Sequence, residues 1–422
     1  MSAVSAVSPA ELIQTMGARA RAAGYRMARL STAVKVGALH AMADAIEGAA
    51  DYLQTENAKD LAGASALTKA AQDRLRLTPK VIAGVVKAVR EIAALPDPIG
   101  ALEDVRVRPN GLRIGHMRSP LGVIGIIYES RPNVTADAGA LCLMSGNAVI
   151  LRGGSEAFHS NTALAKLMNE AGAKAGLPPD AIQLVPTTDR EAVGAMLKAR
   201  QFIDVIIPRG GKSLVERVSR ESEIPVIKHL DGNCTVYVDE GADLAAAVPI
   251  VVNSKVSRPS ACNSAETLLV HRSEAGAFLP NVAQALLAKG VELRGCEASR
   301  AIVPAMLPAT EEDWYAEYLE LILAVKIVDS FEDAVTFINK YGSHHTESIL
   351  TRDHARAMEF LGAVDSACVH INTSTRFSDG GEYGLGAEIG ISTDKLHARG
   401  PMGLRELTNA KWVVFGNGQI RE

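Results

Sequence analysis

The sequence from residue 254 to residue 271 is Ser-Lys-Val-Ser-Arg-Pro-Ser-Ala-Cys-Asn-Ser-Ala-Glu-Thr-Leu-Leu-Val-His, and the rest of the chain is organised around it. Its centre is Cys262, in a loop of small residues that Pro259 stiffens. The apolar run Thr267 to Val270 follows and predicts a buried strand. A thiol held just before a buried strand is in a fixed position, which suits a nucleophile.

The neighbouring charges agree with that role. Lys255 and Arg258 are close to Cys262 in sequence, and nearby cations lower a thiol pKa from its ordinary value of about 8.5. The alternative is a free cysteine packed as a small apolar side chain, which is the usual fate of this residue. The local sequence leaves both open.

Composition bounds the class of protein. A chain of 422 residues is too long for one core, so two or three domains are expected. A formal net charge of −4 and 4% aromatic residues argue against nucleic-acid binding. No apolar run approaches the roughly 18 residues that a membrane helix needs, and the first residues lack the basic and apolar parts of a secretory signal. The five scattered cysteines favour a reducing compartment, so we expect a cytoplasmic protein.

The chain changes its period after a helical first segment. Apolar residues at helical spacing continue to about Leu95, and from residue 122 strands and helices alternate at short spacing. This alternation predicts a parallel sheet with helices on both faces, an α/β fold. We expect strands at Gly122–Tyr128, Asn147–Arg152, Ile182–Pro186, Asp204–Pro208, Pro225–His229, Thr235–Val238, Ala265–His271, Val291–Leu293, Val325–Val328 and Cys368–Thr373, and a short helix and a terminal strand in Gly400–Phe415.

Two glycine turns follow predicted strands, at Gly153-Gly154 and Gly210-Gly211. Open α/β sheets bind ligands beyond strand carboxyl ends, near helix N-termini. Arg152, Arg209 and Lys212 are placed to neutralise a phosphate. The alternative is that the glycines only make tight turns and the bases are surface charges.

A basic hairpin is predicted within Arg106–Arg118, because Asn110-Gly111 separates two short alternating runs. It is either an oligomerisation arm or a solvated edge. The terminal strand needs an edge to pair with, from its own chain or from a partner subunit.

Three stretches resemble the aldehyde dehydrogenase superfamily, and within it most closely the gamma-glutamyl phosphate reductase family. They are Pro120–Val134, Arg258–Asn263 with the following Glu266-Thr-Leu-Leu, and Val335–Ile349 with its Tyr-Gly-Ser-His-His-Thr-Glu core. The resemblance covers nearly the whole chain. It implies a Rossmann-like nicotinamide-binding domain (1–103 and 120–257), a catalytic domain (258–395), and an oligomerisation hairpin and C-terminal strand (104–119 and 396–422).

The resemblance also implies an activity. Members reduce L-glutamyl 5-phosphate with NADPH to L-glutamate 5-semialdehyde and phosphate, a step of proline biosynthesis, here through a thioester on Cys262. The alternatives are an acylating aldehyde dehydrogenase that uses another acyl phosphate or an acyl-CoA, and a catalytically silent scaffold that has kept the fold. A homo-oligomer and contact with glutamate 5-kinase are expected, with no nucleic-acid or membrane partner.

The resemblance assigns site residues by position. The expected oxyanion donors are the Cys262 backbone N–H and Asn133. The expected substrate contacts are Arg131, His229, Arg258 and His345, with a plain surface position as the alternative for Arg131. The residues expected at the cofactor are Glu317, which matches the superfamily glutamate on the nicotinamide ribose, and the residues of the two glycine turns, Arg152, Gly153, Ser155, Gly210, Gly211 and Lys212.

One departure from the superfamily is informative. Members that oxidise aldehydes carry a glutamate base in a Glu-Leu-Gly-Gly pattern, whereas this chain has His229-Leu-Asp-Gly-Asn233. The missing acid fits a thioester that meets hydride or phosphate rather than water, and it leaves substrate contact, phosphate contact or packing open for His229. The adjacent His344 and His345 are too weak a pattern to predict a metal site.

Overall fold

The computed structural model describes residues 7–65, 67 and 69–421. The chain divides into two compact units. The first comprises the described residues of Met1–Lys228, Gly384–Gly390 and Met402–Glu422, and the second comprises His229–Tyr383 and Ile391–Pro401. The border lies before residue 229, earlier than the predicted start of the catalytic domain at residue 258, because the strand at Cys234–Val238 pairs within the second sheet.

The helices are numbered in chain order. They are α1 (Pro9–Met27), α2 (Thr32–Gly48), α3 (Ala50–Ala62), α4 (Lys69–Leu75), α5 (Pro79–Ala93), α6 (Asn133–Met144), α7 (Phe158–Lys174), α8 (Arg190–Lys198), α9 (Lys212–Glu221), α10 (Leu244–Val256), α11 (Arg272–Leu287), α12 (Glu297–Ile302), α13 (Phe331–Tyr341) and α14 (His354–Ala363). None of the helices in the described part of the chain is long and apolar enough to cross a membrane.

The strands are numbered in the same way. They are β1 (Leu102–Val107), β2 (Arg113–Pro120), β3 (Val123–Tyr128), β4 (Ala148–Gly153), β5 (Ile182–Leu184), β6 (Val205–Arg209), β7 (Cys234–Val238), β8 (Ala265–His271), β9 (Glu292–Gly295), β10 (Leu307–Pro308), β11 (Ile322–Val328), β12 (Thr346–Leu350), β13 (Cys368–Ile371), β14 (Ile391–Ser392), β15 (Gly400–Pro401) and β16 (Thr408–Phe415).

The first unit contains a parallel sheet of order β5–β4–β3–β6. Every residue of β3 is buried, as expected for an apolar run covered by helices on both faces of a sheet. Two predictions for this unit are wrong. Pro225–His229 forms only one bridge, between Val226 and Ile206, because Pro225 has no N–H to continue a ladder. No helix precedes β16, since residues 404–407 form a single turn.

The second unit contains a parallel sheet of order β10–β9–β11–β8–β7–β12–β13. The strands β8, β7 and β12 are adjacent near its middle. Their side chains are almost entirely buried, in agreement with their apolar or hydroxyl-rich sequences. The segments that precede these strands therefore lie next to one another, at the amino ends of the strands.

A small antiparallel sheet of order β1–β2–β16 lies in the first unit. The predicted Asn110-Gly111 hairpin is confirmed, with Gly111 at a positive φ of 85°. The terminal strand pairs within its own chain, from Thr408 opposite Pro120 to Phe415 opposite Arg113. Several large apolar side chains of this sheet are exposed, among them Val107 at 72% and Trp412 at 69%.

Candidate active site

The candidate site is built at the amino ends of three neighbouring strands of the second unit. Cys262 lies in the turn before β8, the segment from His229 to Asn233 precedes β7, and His345 immediately precedes β12. These segments are far apart in sequence. They meet because the sheet order makes β8, β7 and β12 neighbours.

Cys262 lies beside two imidazoles. Its Sγ, one ring nitrogen of His229 and one ring nitrogen of His345 all lie within 4.8 Å of one another. No Asp or Glu among the described residues belongs to this group. His229 and Cys262 are half-buried and His345 is fully buried. The structure therefore brings together the predicted nucleophile and two residues predicted separately as substrate contacts, and the position of the superfamily acid holds an imidazole.

The ring of His229 is oriented by a backbone carbonyl. Its Nδ1 lies 3.2 Å from the Ile391 carbonyl oxygen, which can only accept a hydrogen bond. Nδ1 therefore carries the proton in the neutral ring, and Nε2 carries the lone pair. The ring meets that of His345 edge to face, with centroids 5.5 Å apart.

The ring of His345 is oriented by a chain of buried hydroxyls. Nδ1 of His370 donates to the Ser374 carbonyl at 3.1 Å, and burial lowers the pKa of His370, so its Nε2 is an acceptor for the Tyr383 hydroxyl at 2.7 Å and for Ser378 Oγ at 3.3 Å. Thr346 Oγ1 donates to Ser378 at 2.8 Å and accepts from His345 Nδ1 at 2.8 Å. The chain therefore places the proton of neutral His345 on Nδ1 and the lone pair on Nε2.

Gly232 allows the loop before β7 to approach the nucleophile. A Cβ on Gly232 would lie 2.0 Å from the carbonyl oxygen of Cys262 and 2.6 Å from its Cα. The Gly232 N–H donates to Glu317 Oε1 at 2.9 Å. Glu317, which the resemblance assigned to the cofactor, thus holds the loop that packs on Cys262.

A second thiol, that of Cys234, contacts the backbone of the nucleophile. Cys234 Sγ donates to the Cys262 carbonyl oxygen at 3.2 Å and lies 3.8 Å from His345 Nδ1. It is fully buried, and burial raises its pKa well above the ordinary value. Its contacts and its retained proton make it a positioning group rather than a nucleophile.

Two guanidinium groups add positive charge near Cys262. Arg376 is half-buried, and its Nε donates to Ser257 Oγ at 3.1 Å. Burial and then the charge of the exposed Arg258 lower the pKa of Arg376, whereas Asp379 and then the Cys262 thiol act in the opposite sense. The two arginines, Asp379 and the thiol therefore share one electrostatic environment. Arg376 was not predicted, because its sequence neighbourhood carries no motif.

The expectation that Lys255 acts on the Cys262 thiol is wrong. Lys255 Nζ lies 2.5 Å from Glu266 Oε2, and both side chains are fully buried. Burial raises the pKa of Glu266 to about 7 and lowers that of Lys255, while their mutual attraction opposes both shifts. The ammonium is neutralised by this partner, so the pair is an internal support of α10 and β8.

In the first unit, the glycine turn before α9 already accepts an anion. The Gly211 N–H donates to Glu129 Oε2 at 3.0 Å, and a Cβ on Gly210 would lie 2.4 Å from the same oxygen. Lys212 is the first residue of α9. A carboxylate of the chain itself therefore lies at this helix N-terminus, and the assignment of Gly210, Gly211 and Lys212 to the cofactor remains a prediction.

The turn after β4 is packed more tightly. A Cβ on Gly153 would lie 2.0 Å from Asn161 Nδ2, and Ser155 begins a short 3-10 turn. Arg152 is 8% exposed and donates to the carbonyl oxygens of Gly153 and Thr188 at 2.8 and 2.9 Å. Arg152 thus joins two loops of this unit, and its assignment to the cofactor remains a prediction.

Asn133 and Arg131 also lie in the first unit. Asn133 is the first residue of α6, and its Nδ2 donates to Asp137 Oδ2 at 2.9 Å. Burial raises the pKa of Asp137 to about 6. Arg131 lies in the turn just before this helix. Asp137 thus fixes the amide of Asn133, and the roles of Asn133 and Arg131 remain predictions.

Comparisons with known proteins agree on the fold and the family. A family model described as "Aldehyde dehydrogenase family" matches residues 2–321. The solved gamma-glutamyl phosphate reductase from Thermotoga maritima is 43% identical, with a TM-score of 0.95 over 97% of this chain and 100% of that chain. The one from Saccharomyces cerevisiae is 30% identical, with a TM-score of 0.55 over 99% and 100%. An acetylating aldehyde dehydrogenase from Geobacillus thermoglucosidasius shares the fold, at 18% identity and a TM-score of 0.67 over 98% of each chain. The predicted α/β fold is confirmed.

Proposed function

This chain belongs to the aldehyde dehydrogenase family, and within it to the gamma-glutamyl phosphate reductases; on that premise we propose how its residues reduce L-glutamyl 5-phosphate to L-glutamate 5-semialdehyde. The observation that carries the mechanism is the grouping of Cys262 with two imidazoles and no carboxylate. An acyl phosphate is the substrate class for which such a site is sufficient, since its phosphate is a good leaving group.

The first step forms a thioester. The Cys262 sulfur attacks the acyl carbon, a C–S bond forms, and the C–O bond to phosphate breaks with its electron pair going to the leaving phosphate. The thiol proton passes to a lone-pair nitrogen of His229 or His345, which their hydrogen bonds support as Nε2. Arg258 and Arg376 stabilise the charge that collects on the departing phosphate.

The second step releases the aldehyde. A reduced nicotinamide dinucleotide, when bound, supplies the hydride that reduces the thioester carbonyl. The C–S bond then breaks, the semialdehyde leaves and the Cys262 thiolate is restored. The Cys262 backbone N–H and the Asn133 amide are our proposed donors to the oxyanions, each worth roughly 3 to 4 kcal/mol.

The group around Cys262 also explains why water does not intercept the thioester. Hydrolysis needs a general base that activates water, and the described residues place no carboxylate in the group. Of the two imidazoles, the one that takes the thiol proton is no longer a base. The missing carboxylate therefore slows hydrolysis of the thioester relative to hydride transfer.

For the cofactor we propose Gly153, Ser155, Gly210, Gly211 and Lys212 as phosphate contacts. The carboxylate of Glu129 on the Gly211 N–H supports an anion at that turn. We also propose Glu317 and Arg152 as cofactor contacts, and we propose that the enzyme prefers NADPH over NADH. Comparing kcat/KM for the two cofactors tests the preference, and equal values would remove it.

The reverse reaction provides a stable assay for the function. We expect glutamate 5-semialdehyde to reduce NADP⁺ only when inorganic phosphate is present. Cys262→Ala should abolish this reaction and leave NADPH binding near normal, while Cys296→Ser, at the other half-buried thiol of the described chain, should not change the rate. If coenzyme A replaces phosphate with equal efficiency, the alternative acyl-CoA chemistry is correct. Substantial activity of Cys262→Ala would exclude the covalent route.

We also propose that the chain forms a homo-oligomer through the β1–β2–β16 sheet. Its outer strands leave Val107, Trp412 and Val414 exposed, which is unfavourable in a monomer. Free strand edges of β1 and β16 offer backbone groups to a second copy.

A further inference from the structure

We propose that Cys262, His229 and His345 form a binding site for one Zn²⁺ ion, which inhibits the enzyme by occupying its nucleophile. The sequence did not predict a metal site, because the three residues come from separate segments. The inference concerns metal binding to the enzyme without substrate, so it does not depend on the identity of the substrate.

The donor set selects the metal. A thiolate and two imidazoles are the ligands that Zn²⁺ prefers, whereas Mg²⁺ and Ca²⁺ require oxygen. No Asp or Glu within the described residues belongs to the group. A thiophilic divalent cation is therefore favoured over the abundant hard cations.

The hydrogen bonds behind the histidines prepare them as ligands. His229 Nδ1 is held by the Ile391 carbonyl and His345 Nδ1 by the Thr346 hydroxyl. Oxygen acceptors of this kind fix the tautomer of zinc-bound histidines and make Nε2 the ligand atom. In this site both contacts exist without any change of the surrounding structure.

The distances require a small contraction. Zn–S and Zn–N bonds of about 2.3 and 2.0 to 2.1 Å at tetrahedral angles separate ligand atoms by about 3.3 to 3.6 Å. The ligand atoms lie within 4.8 Å of one another, so the longest separation shortens by at most about 1.2 to 1.5 Å. His229 lies in a segment outside the regular helices and strands, and it is half-buried, so a movement of this segment that keeps Nδ1 within reach of the Ile391 carbonyl supplies the contraction. The exposed part of Cys262 leaves the fourth position to water.

Metal binding consumes the nucleophile without any redox step. The Cys262 S–H bond breaks, its proton goes to solvent, and the sulfur electron pair forms the S–Zn bond. That pair is then unavailable for attack on an acyl carbon, and a chelator that removes the ion restores the thiol.

The test uses the full-length protein, stripped with a chelator and titrated with Co²⁺ as a spectroscopic substitute for Zn²⁺. We expect one ion per chain and a thiolate-to-cobalt charge-transfer absorption that Zn²⁺ abolishes by displacement. Cys262→Ser should remove the absorption, and His229→Ala should weaken Co²⁺ binding at least about tenfold. His345→Gln should weaken it similarly, while Cys296→Ser and His354→Ala, at a half-buried thiol and an exposed histidine outside the group, should bind like the wild type.

Charge-transfer absorption that persists in Cys262→Ser, or undiminished binding by His229→Ala, would overturn the proposal. Binding lost equally in Cys296→Ser would overturn it as well. His229→Ala changes a half-buried loop residue, so its result does not depend on whether the buried His345→Gln folds. Because the absorption is read without substrate, failure of the reductase assay leaves this result intact, and failure of metal binding leaves the reductase function intact.

Discussion

Substituting Gly232 by alanine is expected to slow the enzyme about 10²-fold without unfolding it. The new Cβ would lie 2.0 Å from the carbonyl oxygen of Cys262, and real Cβ atoms essentially never approach another atom within 3.0 Å. Either the loop or the nucleophile must therefore move by at least about 1 Å. The Glu317 contact holds the loop and the Cys234 thiol holds the Cys262 carbonyl, so the shift also strains two hydrogen bonds.

A displacement of about 1 Å in a catalytic group costs about 10²-fold in rate. At 1.36 kcal/mol per tenfold, this corresponds to about 2.7 kcal/mol of activation free energy. The assay is phosphate-dependent reduction of NADP⁺ by glutamate 5-semialdehyde, with kcat/KM as the readout. Urea unfolding and NADPH binding show whether Gly232→Ala remains folded.

The matched control is Gly276→Ala in α11. A Cβ at Gly276 meets nothing within 4 Å, and its backbone is helical. Alanine removes the cost of glycine in a helix, so the control should be as stable as the wild type or up to about 1 kcal/mol more stable, with an unchanged rate. If Gly232→Ala keeps a rate within about threefold of the wild type, then close packing of this loop on Cys262 does not position the nucleophile.

Three further predictions concern charge, anion binding and assembly. Burial raises the pKa of Asp137 from 3.8 to about 6, so the folded state is stabilised when this carboxyl is protonated. Up to about 3 kcal/mol of the free energy of unfolding is therefore lost as the pH rises from about 4 to above 6. Between pH 4 and pH 7.5, the urea midpoint of Asp137→Asn should fall less than that of the wild type. Arg376→Ala should raise the KM for phosphate in the reverse assay about 10-fold to 100-fold, as loss of a charge-assisted contact predicts, while the exposed Arg352→Ala should leave it unchanged. Trp412→Asp should shift the oligomer towards smaller species in sedimentation velocity, and an unchanged distribution would exclude the β16 face as the interface.

The fold was largely predictable because its strands are short apolar runs bounded by turn residues. The all-buried β3 and the Asn110-Gly111 hairpin are examples in which local sequence and tertiary structure agree. The terminal strand was predicted, but only the structure shows that it pairs with β2 of its own chain. Pairing partners are set by long-range packing, which local patterns do not encode.

The candidate site was predictable only in part. Cys262, His229 and His345 were identified, yet their proximity depends on the order β8–β7–β12, which alternation along the sequence does not determine. Arg376 was not predicted from the sequence, because no motif surrounds it. Lys255 was misjudged because closeness in sequence says nothing about direction, and its ammonium turns to Glu266 rather than to the thiol.

The buried pair of Lys255 and Glu266 has a consequence for the evolution of this protein. Replacing one member by an apolar residue leaves the other charge buried without its partner, which lowers the free energy of unfolding by about 3 to 5 kcal/mol. A domain is typically stable by only about 5 to 15 kcal/mol, so such a single step removes much of the margin that selection requires. An apolar pair of matching volume in both positions would be tolerated. Descendants of this chain should therefore exchange the two residues jointly or retain both, and lineages with only one of them should be rare.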